Sequence, residues 1–153
     1  MKNKKIEIQN TKNEIINDKN EILVQTRSLK KEYCPGYLDA VVGGVVGDGE
    51  DVDICAEREI KEEIGIDINK TEQKLKFISK FFFEEDICRV WTYCYLLKLT
   101  DNEIKDIKFC DHEITSAQWI DKDKLIKMFQ DTNIKITGGS KETIKLFYNQ
   151  KII

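Results

Sequence analysis

Apolar residues fall in short runs along this chain, each bounded by polar or glycine-containing breaks, and the runs read as a series of strands and helices. Residues 21–26 (EILVQT) predict a strand, preceded by a turn at Asn17-Asp18-Lys19-Asn20. Residues 38–42 form a second apolar run that stops at Gly43-Gly44. Residues 52–64 predict a helix, with Gly65 as its C-terminal stop. Two strand-like runs follow, 75–83 and 87–99, the latter rich in Val, Trp, Tyr and Leu. Residues 114–120 predict another strand. Asp121 then caps a short helix that carries Leu125, Ile126, Met128 and Phe129 on one side. A last helix is expected from Ser140, with Ile144, Phe147 and Tyr148 turned inward. Residues 1–20 are polar and lysine-rich, and no element is predicted there. Strands on either side of helices give an α/β or α+β layered domain.

Composition narrows the function classes. The chain has 153 residues, enough for one sizeable core, and a net charge of −3. That balance argues against a protein that coats nucleic acid, because phosphate neutralisation needs a basic excess. No apolar run approaches the roughly 20 residues that cross a bilayer, and the first 20 residues lack the apolar core of a secretory signal. The five cysteines (Cys34, Cys55, Cys88, Cys94, Cys110) are odd in number and show no C-x-x-C spacing. Free thiols and a cytoplasmic location are therefore expected, with no disulfide framework and no structural zinc site.

The chemistry concentrates in residues 44–66, GVVGDGEDVDICAEREIKEEIGI. Placed around a helix that starts at Val52, at 3.6 residues per turn, Cys55, Ala56, Ile60 and Ile64 fall on one side and define a buried arc. On the same wheel Glu59 and Glu63 fall inside that arc and Glu62 at its border, so three carboxylates share or adjoin the apolar side. An amphipathic helix ordinarily puts its acids on the opposite side. Crowded carboxylates against a core repel one another and lose hydration. Protonation, pairing with Arg58 or a bound cation would relieve them, and three acids against one arginine leave negative charge over. A divalent cation balances it, and hard oxygen donors suit Mg²⁺ or Mn²⁺. The plain alternative is a solvated face with Glu57–Lys61 pairing. Ile54 falls on the expected solvent side without an evident reason.

The same segment matches the Nudix box, G-x5-E-x7-R-E-U-x-E-E-x-G-U with U aliphatic, at Gly44, Glu50, Arg58, Glu59, Ile60, Glu62, Glu63, Gly65 and Ile66. The chain thus resembles the Nudix hydrolases. The resemblance implies a mixed sheet sandwiched between helices, with the box as a loop-helix-loop. It implies a Mg²⁺- or Mn²⁺-dependent enzyme in which water attacks phosphorus in a small-molecule diphosphate, commonly a nucleoside diphosphate derivative. Carried over by position, Glu59, Glu62 and Glu63 are metal ligands, and Glu59 alternatively orients or deprotonates the water. Arg58 pairs with the neighbouring carboxylates and holds them in place. Glu50 joins the metal network or caps the helix. Gly43 or Gly44 brings a backbone carbonyl to the metal, since no side chain blocks the approach. Homodimers are common in the family.

Upstream, Gln25, Arg27, Lys30 or Lys31, Pro35, Gly36 and Asp39 resemble the branch that includes isopentenyl-diphosphate isomerases. Those isomerases need a cysteine just before the box glycine and a histidine two residues later, where this chain has Gly43 and Val45. A hydrolase is therefore expected ahead of an isomerase, and a ligand-sensing module without turnover is the alternative from another class. Arg27, Lys30 and Lys31 are candidates to hold phosphate oxygens, or form a basic loop surface. Glu113 is the candidate for a further catalytic acid outside the box, with His112 beside it as a bystander. Trp91, Tyr93, Tyr95 and residues 81–83 could stack a base, although strand alternation assigns most of them to the core. Relatives in this branch carry a further strand ahead of residues 21–26. The single domain is therefore read as 1–153, with residues 1–20 irregular or incomplete.

Overall fold

The computed structural model describes residues 4–84, 88–109 and 112–153. Among the described residues the strands are β1 (Ile6–Ile16), β2 (Glu21–Arg27), β3 (Leu38–Asp39), β4 (Lys76–Glu84), β5 (Cys88–Lys98) and β6 (Ile114–Asp121). They form one mixed sheet in the order β3-β2-β1-β5-β4, with β6 on the other edge of β2. Among the described residues four α-helices accompany them, α1 (Val52–Ile64), α2 (Asp101–Ile104), α3 (Lys122–Met128) and α4 (Gly138–Asn149), with a short 3-10 turn at Ile68–Lys70. Among these strands β1 and β5 are the parallel pair, joined from Ile6↔Cys88 to Ile16↔Lys98.

Pleating assigns the two sheet faces to two cores. Ile15, Leu23 and Leu97 pack with Ile60 and Ile64 of α1. Their sequence neighbours Ile16, Ile22 and Val24 pack with Leu125 of α3 and Ile144 of α4. The sheet is thus covered on both sides, as the layered reading requires. Among the described residues no helix is long and apolar enough to cross a membrane.

β1 and β2 meet at the turn, where Ile16 opposes Ile22, and then splay apart. The backbone groups that β1 exposes below that point are taken by residues 42–46. Asn13 and Val42 exchange hydrogen bonds of 2.7 and 2.9 Å, and Thr11 N–H reaches the Gly44 carbonyl at 2.9 Å. β2 instead continues against β3 and β6. A cleft opens where the two strands part.

The expectation of an irregular start fails for residues 6–16, which form the central strand β1. Its apolar pattern is masked because Thr11, Asn13 and Glu14 are polar yet fully buried. Thr11 Oγ1 contacts Cys55 Sγ at 3.7 Å, and Asn13 Nδ2 donates to the Ala56 carbonyl at 3.4 Å, so polar residues seat α1 on the sheet. The apolar run at 38–42 yields only a two-residue strand. The last helix begins at Gly138, two residues earlier than expected, because Thr137 caps it. Tyr148 turns outward instead of inward, its hydroxyl donating to Asp123 Oδ1 at 3.1 Å. Cys34, Cys55 and Cys94 are free thiols. Cys110, the expected strand start at Ile87 and the side chains of Phe83 and Cys88 lie outside the described residues.

Helix α1 keeps its predicted bounds. Asp51 caps it by accepting from Asp53 N–H and Ile54 N–H, and Gly65 closes it at φ 73°. Cys55, Ala56, Ile60 and Ile64 are buried, as their helical positions predict. Ile54 is 55 % exposed, on the solvent side where its helical position put it. Ile60→Ala is expected to cost about 2–5 kcal/mol in urea unfolding, because Ile60 is fully buried. Ile54→Ala should stay within about 0.5 kcal/mol.

Candidate active site

Arg58 organises the carboxylates of α1. Its Nε and Nη2 fork onto Glu50 at 2.7 and 2.9 Å. Its Nη1 donates to Glu59 at 2.8 Å and to Glu62 at 3.1 Å. Glu50 is not the helix cap, since Asp51 does that work, and its carboxylate also accepts from Gly47 N–H at 2.9 Å. The fork and that N–H hold Glu50 down to about 2, while Glu50 in turn raises Arg58 above its ordinary value.

Glu59 and Glu63 sit one turn apart against the glycine pair. A β-carbon on Gly44 would fall 2.5 Å from Glu59 Oε1, so any other residue there would displace that carboxylate from its place beside Arg58. Gly43 N–H donates to Glu63 Oε1 at 3.3 Å. Gly44's carbonyl is taken by Thr11, which leaves Gly43 as the glycine better placed to offer one. Burial raises Glu59, while Arg58 and a hydrogen bond with Glu63 pull it back. Burial, followed by the charges of Glu59, Asp39 and Glu113, pushes Glu63 up to about 8.

A cavity of about 320 Å³ receives Gly44 and Glu63 from the box and Gly43 from just before it, with Gln25, Arg27, Lys31, Asp39 and Glu113 around them. Glu113 comes from the turn before β6, and its carboxylate pairs with Lys31 at 3.3 Å. Fifty residues of sequence separate Glu63 from Glu113, and the β2–β6 pairing brings them to one place. Lys30 is exposed and lines no part of this cavity. Arg27 is already engaged. Its Nε and Nη2 donate to the Tyr33 carbonyl at 3.1 and 2.9 Å, and its Nη1 to Asp39 Oδ2 at 3.3 Å. His112 is exposed and lines no part of the cavity either.

Asp39 is the residue that sequence reasoning underrated. Its place in the Pro35-Gly36-Asp39 pattern carries no indication of what it touches. Besides Arg27 it accepts from Ser140 Oγ at 2.7 Å and Thr137 Oγ1 at 3.2 Å, tying the start of α4 to the cleft. Lys12 carried no signal, because its strand was not expected. Of the aromatic candidates, Tyr95 is buried and donates to Asp53 Oδ1 at 2.5 Å. Trp91 and Tyr93 lie under Lys80 and line a separate opening with residues 45–51 of the box loop, and Phe81 lines a neighbouring cavity beside α4.

The donors fit a hard divalent cation in chemistry, being carboxylate oxygens whose charge exceeds that of Arg58. Among the described residues, however, no three His, Cys, Asp or Glu stand in a ligating arrangement. Arg58 holds Glu59 and Glu62 in its place, so a cation would have to draw the carboxylates inward.

A raised carboxyl makes stability depend on pH. Folded Glu63 holds its proton up to about 8, whereas the unfolded chain releases it near 4.5. Its contribution is therefore full below 4.5 and is lost as pH rises towards 8. In chelator, thermal unfolding should fall to lower temperature between about pH 5 and about pH 8.5. Glu63→Gln should flatten that slope without abolishing it, because buried Glu14 shifts in the same direction. An unchanged slope in Glu63→Gln would remove Glu63 from this role.

Comparison with known proteins follows the same lines. The NUDIX domain model matches residues 14–138. An uncharacterized Nudix hydrolase of Pseudomonas aeruginosa is 35% identical over 97 residues, 60% of this chain and 55% of its own length. Another, from Listeria monocytogenes, is 32% identical over 103 residues, 67% of this chain and 57% of that protein. The chain spans between about a third and just over half of the length of the curated relatives it matches. Among solved structures, a MutT protein from Methanosarcina mazei superposes with a TM-score of 0.75 at 21% identity, covering 97% of both chains. The dihydroneopterin triphosphate pyrophosphohydrolase of E. coli gives 0.69 at 19% identity, covering 95% of this chain and 99% of that one. These structures share the mixed sheet and its flanking helices, and with the family model matching residues 14–138 in one stretch, the chain belongs to the Nudix family.

Proposed function

We propose that this chain is a divalent-cation-dependent hydrolase of diphosphate linkages in small organic molecules, with residues 1–153 acting as one domain. The observation that carries the reading is the meeting of Glu63 and Glu113 in one cavity, beside Gly43, Gly44 and the Glu59 contact. Glu59, Glu62 and Glu63, with the Gly43 carbonyl, are the residues that would hold Mg²⁺ or Mn²⁺. Such a cation neutralises diphosphate charge and acidifies water.

The chain's own groups do the rest. Arg58 orients Glu59 and Glu62 and takes up the charge of Glu50. Glu113 accepts the proton of the attacking water, and Lys31 beside it meets the phosphate charge. Glu59 is the other acceptor within reach. Water adds to phosphorus as the bridging oxygen leaves with the second phosphate. Arg27 shapes the cleft by holding residue 33 against Asp39, and its outer face meets the substrate. The named activity of the E. coli pyrophosphohydrolase, a structural neighbour, lies in the same reaction class.

The test is phosphate or nucleotide release from a panel of diphosphate compounds with Mg²⁺, with Mn²⁺ and with chelator. Cleavage should need the cation. Glu63→Gln should lose about 10²-fold or more in kcat while staying folded, with a urea midpoint in chelator no lower than that of the wild type. Lys61→Gln, on the solvent side of α1, should leave it unchanged. Tight ligand binding without turnover across the panel would favour the sensing module.

A further inference from the structure

The cavity at Glu63 does not stand alone. A second, of about 380 Å³, lies against the start of α4, and the two share Lys12, Arg27, Tyr33 and Asp39 in their linings. Arg27 and Asp39 neutralise each other at this junction, and Arg27 spends its remaining nitrogens on the Tyr33 carbonyl. Lys12 differs. Among the described residues its ammonium makes no ion pair or hydrogen bond. Its stem lies beside Gly139, where a β-carbon would fall 3.2 Å from Lys12 Cε. β1 alternation turns Lys12 away from α1, because Thr11 and Asn13 on either side of it contact that helix.

The lining beyond Lys12 is hydrophilic. Asn10, Thr92, Thr137 and Glu142 line the second cavity, and Phe81 adds an apolar ring to it. Asn10 Oδ1 is buried without a hydrogen-bond partner. A carboxylate and an open amide oxygen there favour a neutral group with hydrogen-bond donors, and they disfavour both a further phosphate and a hydrocarbon tail.

We propose that Lys12 is a specificity-determining residue. It grips the phosphate on the far side of the scissile link and directs the attached neutral, hydrogen-bonding group into the cavity beside α4. The inference rests on the diphosphate reading of the Glu63 cavity, but it concerns binding and is tested by binding.

The experiment titrates three probes that resist hydrolysis into the whole chain with Mg²⁺ present, read by calorimetry. The probes are the methylene analogue of ADP, isopentenyl methylenediphosphonate and methylenediphosphonate itself. The ADP analogue should bind tightest. Lys12→Met should weaken it about tenfold, and Lys12→Arg should recover most of that loss. Gly138→Leu adds bulk where a side chain meets open space in this cavity, and it should weaken the ADP analogue while sparing methylenediphosphonate. Equal affinity of wild type and Lys12→Met for the ADP analogue, or an isopentenyl analogue that binds as well as it, overturns the inference. The two readings fail separately. Lys12-dependent binding with no cleavage in the panel sinks only the hydrolase. Cleavage with KM unmoved by Lys12→Met sinks only the role of Lys12.

Discussion

Gly43 lies so close to β1 that a β-carbon there would overlap the Thr11 carbonyl oxygen. No side chain fits such a gap, and moving the backbone away would break the hydrogen bonds that residues 42–46 make with β1. Those bonds cover the edge that β1 exposes when β2 turns away from it. The same approach carries Gly43 N–H to Glu63 and puts Gly44 against Glu59. Cleft and carboxylates are therefore positioned by one close contact between a loop and a central strand.

Charge in that setting is unevenly compensated along the helix. Arg58 satisfies Glu50, Glu59 and Glu62 together, but none of its hydrogen bonds goes to Glu63. Glu63 instead faces Glu59, Asp39 and Glu113 from three separate elements, and its carboxyl stays protonated near neutral pH without a cation. Burial is the leading cause, so solvent relieves little of the repulsion. Deprotonating Glu63 in this setting costs stability, which a divalent cation of the kind proposed above would offset.

Asp39 links this region to the other face of the sheet. Through Ser140 and Thr137 it anchors α4, and through Arg27 it holds the loop that carries Tyr33. Arg27 is consequently more a part of the cleft wall than an open phosphate receptor. Lys12, in the middle of the strand beside the opening, makes no ion pair among the described residues and is the cation proposed to meet the ligand.

How much of this was legible depends on the range of the interactions involved. Helix α1, its Gly65 stop, its buried face and the grouping of Glu59, Glu62 and Glu63 follow from spacing along the chain, because helical geometry relates residues a few positions apart. The same holds for Arg58 among its carboxylates and for Asp121 as a cap. Strand β1 was hidden because Thr11, Asn13 and Glu14 are polar residues whose burial is decided by α1 and α4, elements far away in sequence. Glu113 reached Glu63 only through the β2–β6 register, and Lys30 and Lys31, adjacent in sequence, were separated into an exposed and a cleft-lining residue. The sequence by itself determined the helix, the acid cluster and the family pattern, since these are local. Only the tertiary structure decided which distant side chains share the cleft, because strand pairing and the divergence of β1 from β2 set those distances.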